Sequence, residues 1–171
     1  MASIITRRLF LMMLGSVLML WISGCSKPAI VDGVMPVEIG GRTFELEIVA
    51  DDATRNLGLG GRKSLDDDKG MLFSFKDAKI RQFVMRDCYI DIDIIFLDSA
   101  GRIIAMHHMP IEEPKQASET QRAYEKRLKR YSSRFNAKYA IELVGGMLEN
   151  LDLEDGQHIN LDTAYLESIT Q

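Results

Sequence analysis

The chain has 171 residues, 21 basic and 25 acidic side chains and a formal net charge of −4. That length fits one domain. The acidic balance argues against a general nucleic-acid binder, which needs clustered Lys and Arg to neutralise phosphates, and the two cysteines argue against a disulfide-built scaffold.

Residues 1–24 have the three-part logic of a secretory signal: Arg7 and Arg8, an apolar run from Leu9 to Ile22, then small Ser23 and Gly24. The run is shorter than the roughly 20 apolar residues that span a bilayer comfortably, which favours cleavage over an uncleaved anchor. Ile22-Ser23-Gly24-Cys25 resembles a lipobox, so the expectation is cleavage before Cys25 and acylation of its sulfur. Two or three acyl chains hold a protein where one binds only reversibly. Arg7-Arg8 also fits a twin-arginine pattern, but the strongly apolar run favours ordinary Sec export. Ser26, where Asp would favour inner-membrane retention, points to the outer membrane, facing the periplasm. Loss of residues 1–24 removes two arginines and no acid, so the mature chain is more acidic still, and a lipidated Cys25 leaves Cys88 without an intramolecular partner.

Residues 25–35 read as the lipidated cysteine and tether, and 36–171 as one domain. Val37 to Ile39, Gly40-Gly41 and Thr43 to Ala50 predict a hairpin: Phe44, Leu46 and Ile48 alternate with Glu45, Glu47 and Val49, and paired glycines suit a tight turn. Asp51 or Asp52 is placed to cap a short helix ending at Gly58. Lys63 to Lys69 reads as a loop. Strands are expected at Met71–Phe75, Ile80–Met85, Ile90–Leu97 and Arg102–Met109, the last two joined at Ser99-Ala100-Gly101. Tyr124, Leu128 and Tyr131 fall at i, i+4 and i+7, which predicts a basic helix within an insertion at about 115–134. A strand Tyr139–Val144, a helix turn at Met147–Leu151, a turn at Asp155-Gly156 and a strand through Leu161 follow. Many short strands with few helices predict a mainly-β fold, a single compact antiparallel sandwich or barrel-like domain.

From Val37 to Asp162 the chain resembles the domain of unknown function 192 family. Gly58-Leu59 with Arg62 resembles its Gly-Leu-Met-x-Arg segment, and Gly70-Met71-Leu72-Phe73 with Phe75 its strand signature. Phe83-Val84-Met85-Arg86-Asp87-Cys88 resembles its Phe-Trp-Met-Lys-Asn-Thr stretch, and Ile92 to Asp98 its Leu-Asp-Ile-Ile-Phe-Ile-Asp strand. Glu142-Leu143 with Gly145-Gly146 and Asp155-Gly156 resemble its later blocks. The resemblance implies a compact β fold and no assigned activity. This chain departs from it at Gly60 (usually Met), Val84 (Trp), Asp87-Cys88 (Asn-Thr) and Asp91 (Pro).

No catalytic set emerges, so an enzyme is not the favoured expectation; a membrane-anchored envelope module that binds a ligand or partner is. Its candidate pocket comprises Arg62, Met85, Arg86, Asp93 and Glu142. Asp93 alternates away from Ile92, Ile94 and Phe96, and a buried carboxylate needs a partner such as Arg62 or Arg86. The alternatives are a hydrolase pairing Asp93 with Glu142 across a cleft, as in two-carboxylate glycoside hydrolysis, and a structural role in envelope assembly. No metal site or cofactor is expected: His107 and His108 point to opposite faces of a strand, and Asp91, Asp93 and Asp98 lack calcium-loop spacing. Cys88 as a nucleophile would need a base such as His107 or His108. Arg122, Lys126, Arg127, Lys129 and Arg130, with Lys115 and Arg134 nearby, form a basic stretch suited to anionic headgroups or envelope polymers.

Overall fold

The structure, a computed structural model, describes residues 29–171; the signal segment and Cys25 lie outside the described residues. Ten elements follow in chain order: β1 (Val34–Ile39), β2 (Arg42–Val49), α1 (Asp52–Leu57), β3 (Lys69–Phe83), β4 (Ile92–Leu97), β5 (Ile103–Met109), α2 (Gln121–Arg127), β6 (Tyr131–Val144), α3 (Met147–Asn150) and α4 (Thr163–Ile169). The strands form one sheet in the order β1-β2-β3-β6-β4-β5. The domain is mainly β, with short helices, and its sheet does not close into a barrel.

Gly40 and Gly41 both take positive φ, +56° and +77°, the mirror-image turn that matches strand twist in a two-residue hairpin. The expected all-antiparallel pairing needs correction at one place. β2 and β3 run parallel, with Glu45 opposite Lys69. Alternation in 43–50 sets which face a residue takes, not the strand's direction; the α1 crossover sets that.

The two strands expected at 71–75 and 80–85 are one sharply bent strand, paired with β6 on both sides of the bend. Phe73 and Phe83, ten residues apart, would be roughly 33 Å apart on a straight strand, yet their rings meet edge-on at 5.1 Å. The bend lies where the register with β6 jumps from Ser74↔Tyr139 to Lys79↔Ala137, leaving several β3 residues opposite one. Arg81 braces it by bonding the Asp77 carboxylate and stacking 4.1 Å over the Phe75 ring. The bent ribbon reaches β4 and β5: Phe83 packs on Phe96 at 5.4 Å, and His107 Nε2 donates to the Ser132 carbonyl at 2.7 Å.

The sheet carries a core on each face. On one, Phe44, Leu46, Leu72, Ile95, Ile141 and Leu143 pack with Met147, Leu151 and Leu166. On the other, Met71, Phe73, Ile94, Phe96 and Ala140 pack with Leu59 and Met85. All six residues of β4 are therefore buried.

Elsewhere the basic helix expected within 115–134 is short. α2 ends at Arg127, Leu128 is already extended, and Tyr131 opens β6. The stripe Tyr124, Leu128, Tyr131 is buried as read, but the chain leaves the helix partway along it. The expected final strand is an extended segment with one bridge, Arg102↔His158. α4, capped by Asp162, adds a helix that seals the first core through Leu166.

Candidate functional site

A cleft of about 700 Å³ opens on the second face, between α1 with its glycine-rich loop, the bent β3, and the segment before β4. Local sequence builds each wall. Asp51 caps α1, accepting the Ala53 and Thr54 N–H groups at 2.9 and 3.0 Å, and Gly58 ends it with φ +53°. The loop is tied to the opposite wall by the Gly61 N–H, which donates to the Asp87 carbonyl at 2.9 Å. Asp87 itself sits at φ +52°, a left-handed conformation that Asp and Asn tolerate better than other side chains. Tyr124, fully buried on α2, holds it: its hydroxyl accepts the Asp87 N–H at 3.0 Å and donates to its carboxylate at 3.3 Å.

The floor is Glu142 of β6, paired across the sheet with Met71 and Ile94. The Leu59 N–H bonds its carboxyl, whereas Oε2 is buried and has no partner. Burial pushes this carboxyl up to about 7; the Leu59 hydrogen bond and the Arg62 charge oppose the rise without cancelling it. Phe73, Phe75 and Phe83 line the walls, and Leu57 and Ile80 form exposed apolar lips.

The five residues of the candidate pocket are dispersed around this geometry. Arg86 and Glu142 line the cleft, and Met85 is buried in the core beside it. Arg62 points to Glu47, which it grips through both nitrogens at 2.7 and 2.6 Å, holding Glu47 below the usual carboxylate range. Asp93 faces the other core, with His108 Nδ1 2.7 Å from one oxygen and the Leu148 N–H donating to the other at 2.7 Å. It is paired, but with His108 and the start of α3 rather than with Arg62 or Arg86. Asp93 stands opposite Leu143 and Glu142 opposite Ile94, so the two acids point to opposite faces of one sheet. The Asp93–Glu142 hydrolase pair is therefore not assembled. Among the described residues no group of three or more His, Cys, Asp and Glu is placed to hold a metal.

Cys88 lines the same cleft. Burial first, then the charges of Glu142 and Asp87, push its thiol up to about 12, which keeps it protonated and a poor nucleophile. Alkylation by iodoacetamide at about pH 8 is expected to run roughly a thousandfold slower in the folded chain than in urea. Mass spectrometry over time checks this; equal rates would mean an accessible thiolate.

Sequence reading missed Phe73, Phe75, Ile80, Arg81 and Phe83 as cleft residues, because only the bend in β3 brings them together. Three of the departures from the family pattern, Gly60, Val84 and Cys88, line this one cleft.

The fold and cleft define a small, mainly-β domain with one buried acid on each face of its sheet. The chain belongs to the DUF192 family, an uncharacterised ACR group, whose profile matches residues 35–161. Among curated proteins nothing matches. A solved structure from Sinorhizobium meliloti 1021, described as a candidate transcription regulator, is similar at 26% identity and a TM-score of 0.58, covering 73% of this chain and 89% of that one. A protein of unknown function from Novosphingobium aromaticivorans DSM 12444 shares the fold at 22% identity and a TM-score of 0.63, covering 80% and 94%.

Proposed function

We propose that the chain is a lipid-anchored, non-catalytic module of the bacterial cell envelope that holds a small ligand in the cleft above Glu142. The observation that carries the binding reading is a cleft of mixed polar and aromatic lining over a buried carboxyl oxygen with no partner, since buried polar atoms are ordinarily satisfied. Catalysis is disfavoured because the cleft's other acids, Asp52 and Asp77, are held by Arg55 and Arg81 and its thiol stays protonated. The anchoring half rests on the apolar run and Ile22-Ser23-Gly24-Cys25. Transcription regulation fits an acidic, exported chain poorly.

The basic stretch is the accessory part of this reading. Arg122, Lys126, Lys129 and Arg130 are exposed around α2, suited to anionic headgroups that an anchored domain would meet. Arg127 contributes less, because Glu119 at 2.9 Å and the Glu113 and Pro114 carbonyls already hold it.

Two measurements test the proposal. Mass spectrometry of the chain made in a bacterial host is expected to find an acylated Cys25 at the mature N-terminus; an intact Met1 or a bare thiol would overturn the anchor. A small-molecule thermal-shift screen is expected to yield compounds that raise the Tm of the wild type but not of Val84→Trp, which adds an indole at a position lining the cleft. Hits that act equally on both would remove the cleft as the binding site.

A further inference from the structure

The charges around the cleft are unevenly matched. Arg55 pairs with Asp52 at 2.8 Å, Arg62 with Glu47 at 2.6 Å, Arg81 with Asp77 at 2.6 Å and Arg86 with Glu125 at 3.5 Å. Each of these arginines has its own acid, and each of those acids lies outside the floor. Glu142 shares only a backbone N–H and the partial field of an Arg62 already committed to Glu47. A buried carboxyl in this position either keeps its proton or takes up a cation.

The space beside it is shaped for a narrow group. Gly58 lacks a side chain where a methyl would stand 3.4 Å from Glu142 Oε2 and 3.5 Å from Phe73 Cζ. Half-buried Phe83 presents an aromatic surface suited to an apolar body and favourable to a cation. A metal ion does not suit this floor, which offers a single carboxyl and no neighbouring ligand set among the described residues.

We propose that the cleft selects a small organic amine: a protonated primary amine donates to Glu142 Oε2 while its apolar body lies along Phe83 and the Leu57–Ile80 lips. This rests on the binding reading above and names the ligand class for the same site. Binding couples to the protonation of Glu142, because only the carboxylate attracts an ammonium ion. Arg62 is the charge that acts on it most directly, and the other charged or titratable groups of the cleft are Asp52, Arg55, Lys76, Asp77, Arg81, Arg86 and Cys88. His107 shares this face from β5 and is bonded to Ser132.

The test uses the full chain in neutral detergent micelles, with amide signals of Gly58, Leu59 and Gly60 followed by NMR. The probes are benzylamine, benzyl alcohol and phenylacetate, which share a ring and differ in the polar group. Benzylamine is expected to bind at least about tenfold more tightly than either of the others at about pH 8. Its affinity should fall about thirtyfold by about pH 5.5, as a carboxyl titrating near 7 becomes neutral. Glu142→Gln should abolish both the preference and the pH dependence, separating Glu142 from His107, and Val84→Trp should block all probes while leaving Glu142 in place. Equal or tighter binding of the alcohol or phenylacetate would overturn the amine assignment but keep the cleft as a binding site. No response to any probe in a folded wild type would overturn the amine assignment and count against the cleft itself.

Discussion

Glu142→Gln is expected to flatten the pH dependence of stability between about pH 5 and about pH 8, with the wild type losing about 3 kcal/mol across that window relative to the variant. Glu142 ionises near 7 in the folded chain against an ordinary 4.5, and each unit of difference is worth about 1.4 kcal/mol. The folded state holds this proton more tightly than the unfolded chain. Its contribution is therefore full below the unfolded value and lost as pH rises through 7. Glu47, Asp51, Asp77 and Glu119 shift downward through their own partners. They weaken the fold only as pH falls through their lowered range, and they do so equally in both proteins. Urea unfolding at the two pH values measures the difference. Parallel curves for wild type and variant would show that the carboxyl is solvated.

Asp93→Ala should destabilise the domain by about 3 kcal/mol, the range for losing hydrogen bonds to a buried charge. Asp93 is fully buried, and its two oxygens serve different elements: His108 on β5 and the Leu148 N–H at the start of α3. Truncation orphans that amide and leaves a void against the first core. Asp93→Asn keeps an acceptor for the amide and should cost about 1 kcal/mol, while His108→Ala should cost less than Asp93→Ala because its ring is 51% exposed. Urea unfolding of the three variants gives the ranking. A loss under about 0.5 kcal/mol for Asp93→Ala would mean that α3 needs no such cap.

Much of the fold was legible from local pattern. The Gly40-Gly41 hairpin, the Asp51 cap and the β4–β5 pair stand where composition placed them, because each depends on residues close in sequence. The parallel β2–β3 pair and the bend of β3 against β6 depend on how distant segments meet. α4 too has a local signal, Asp162 as a cap with Leu166 and Ile169 at helical spacing. For the site, alternation correctly sets Asp93 apart from Ile92 and Ile94. What alternation does not give is the alignment of β4 with β6, in which Glu142 falls opposite Ile94 rather than Asp93. That offset of one residue sends one acid to the cleft and the other to the scaffold.

With both of its sides enclosed, β4 is a partition common to two rooms. A bulkier residue at Ile94, on the ligand side, would push the backbone against Ile95 and tilt Asp93 away from α3. Remodelling the recognition surface from below thus draws on the same wall that keeps the far chamber shut, and adaptation is freer at the mouth, where Gly60, Val84 and Cys88 already differ from the family pattern.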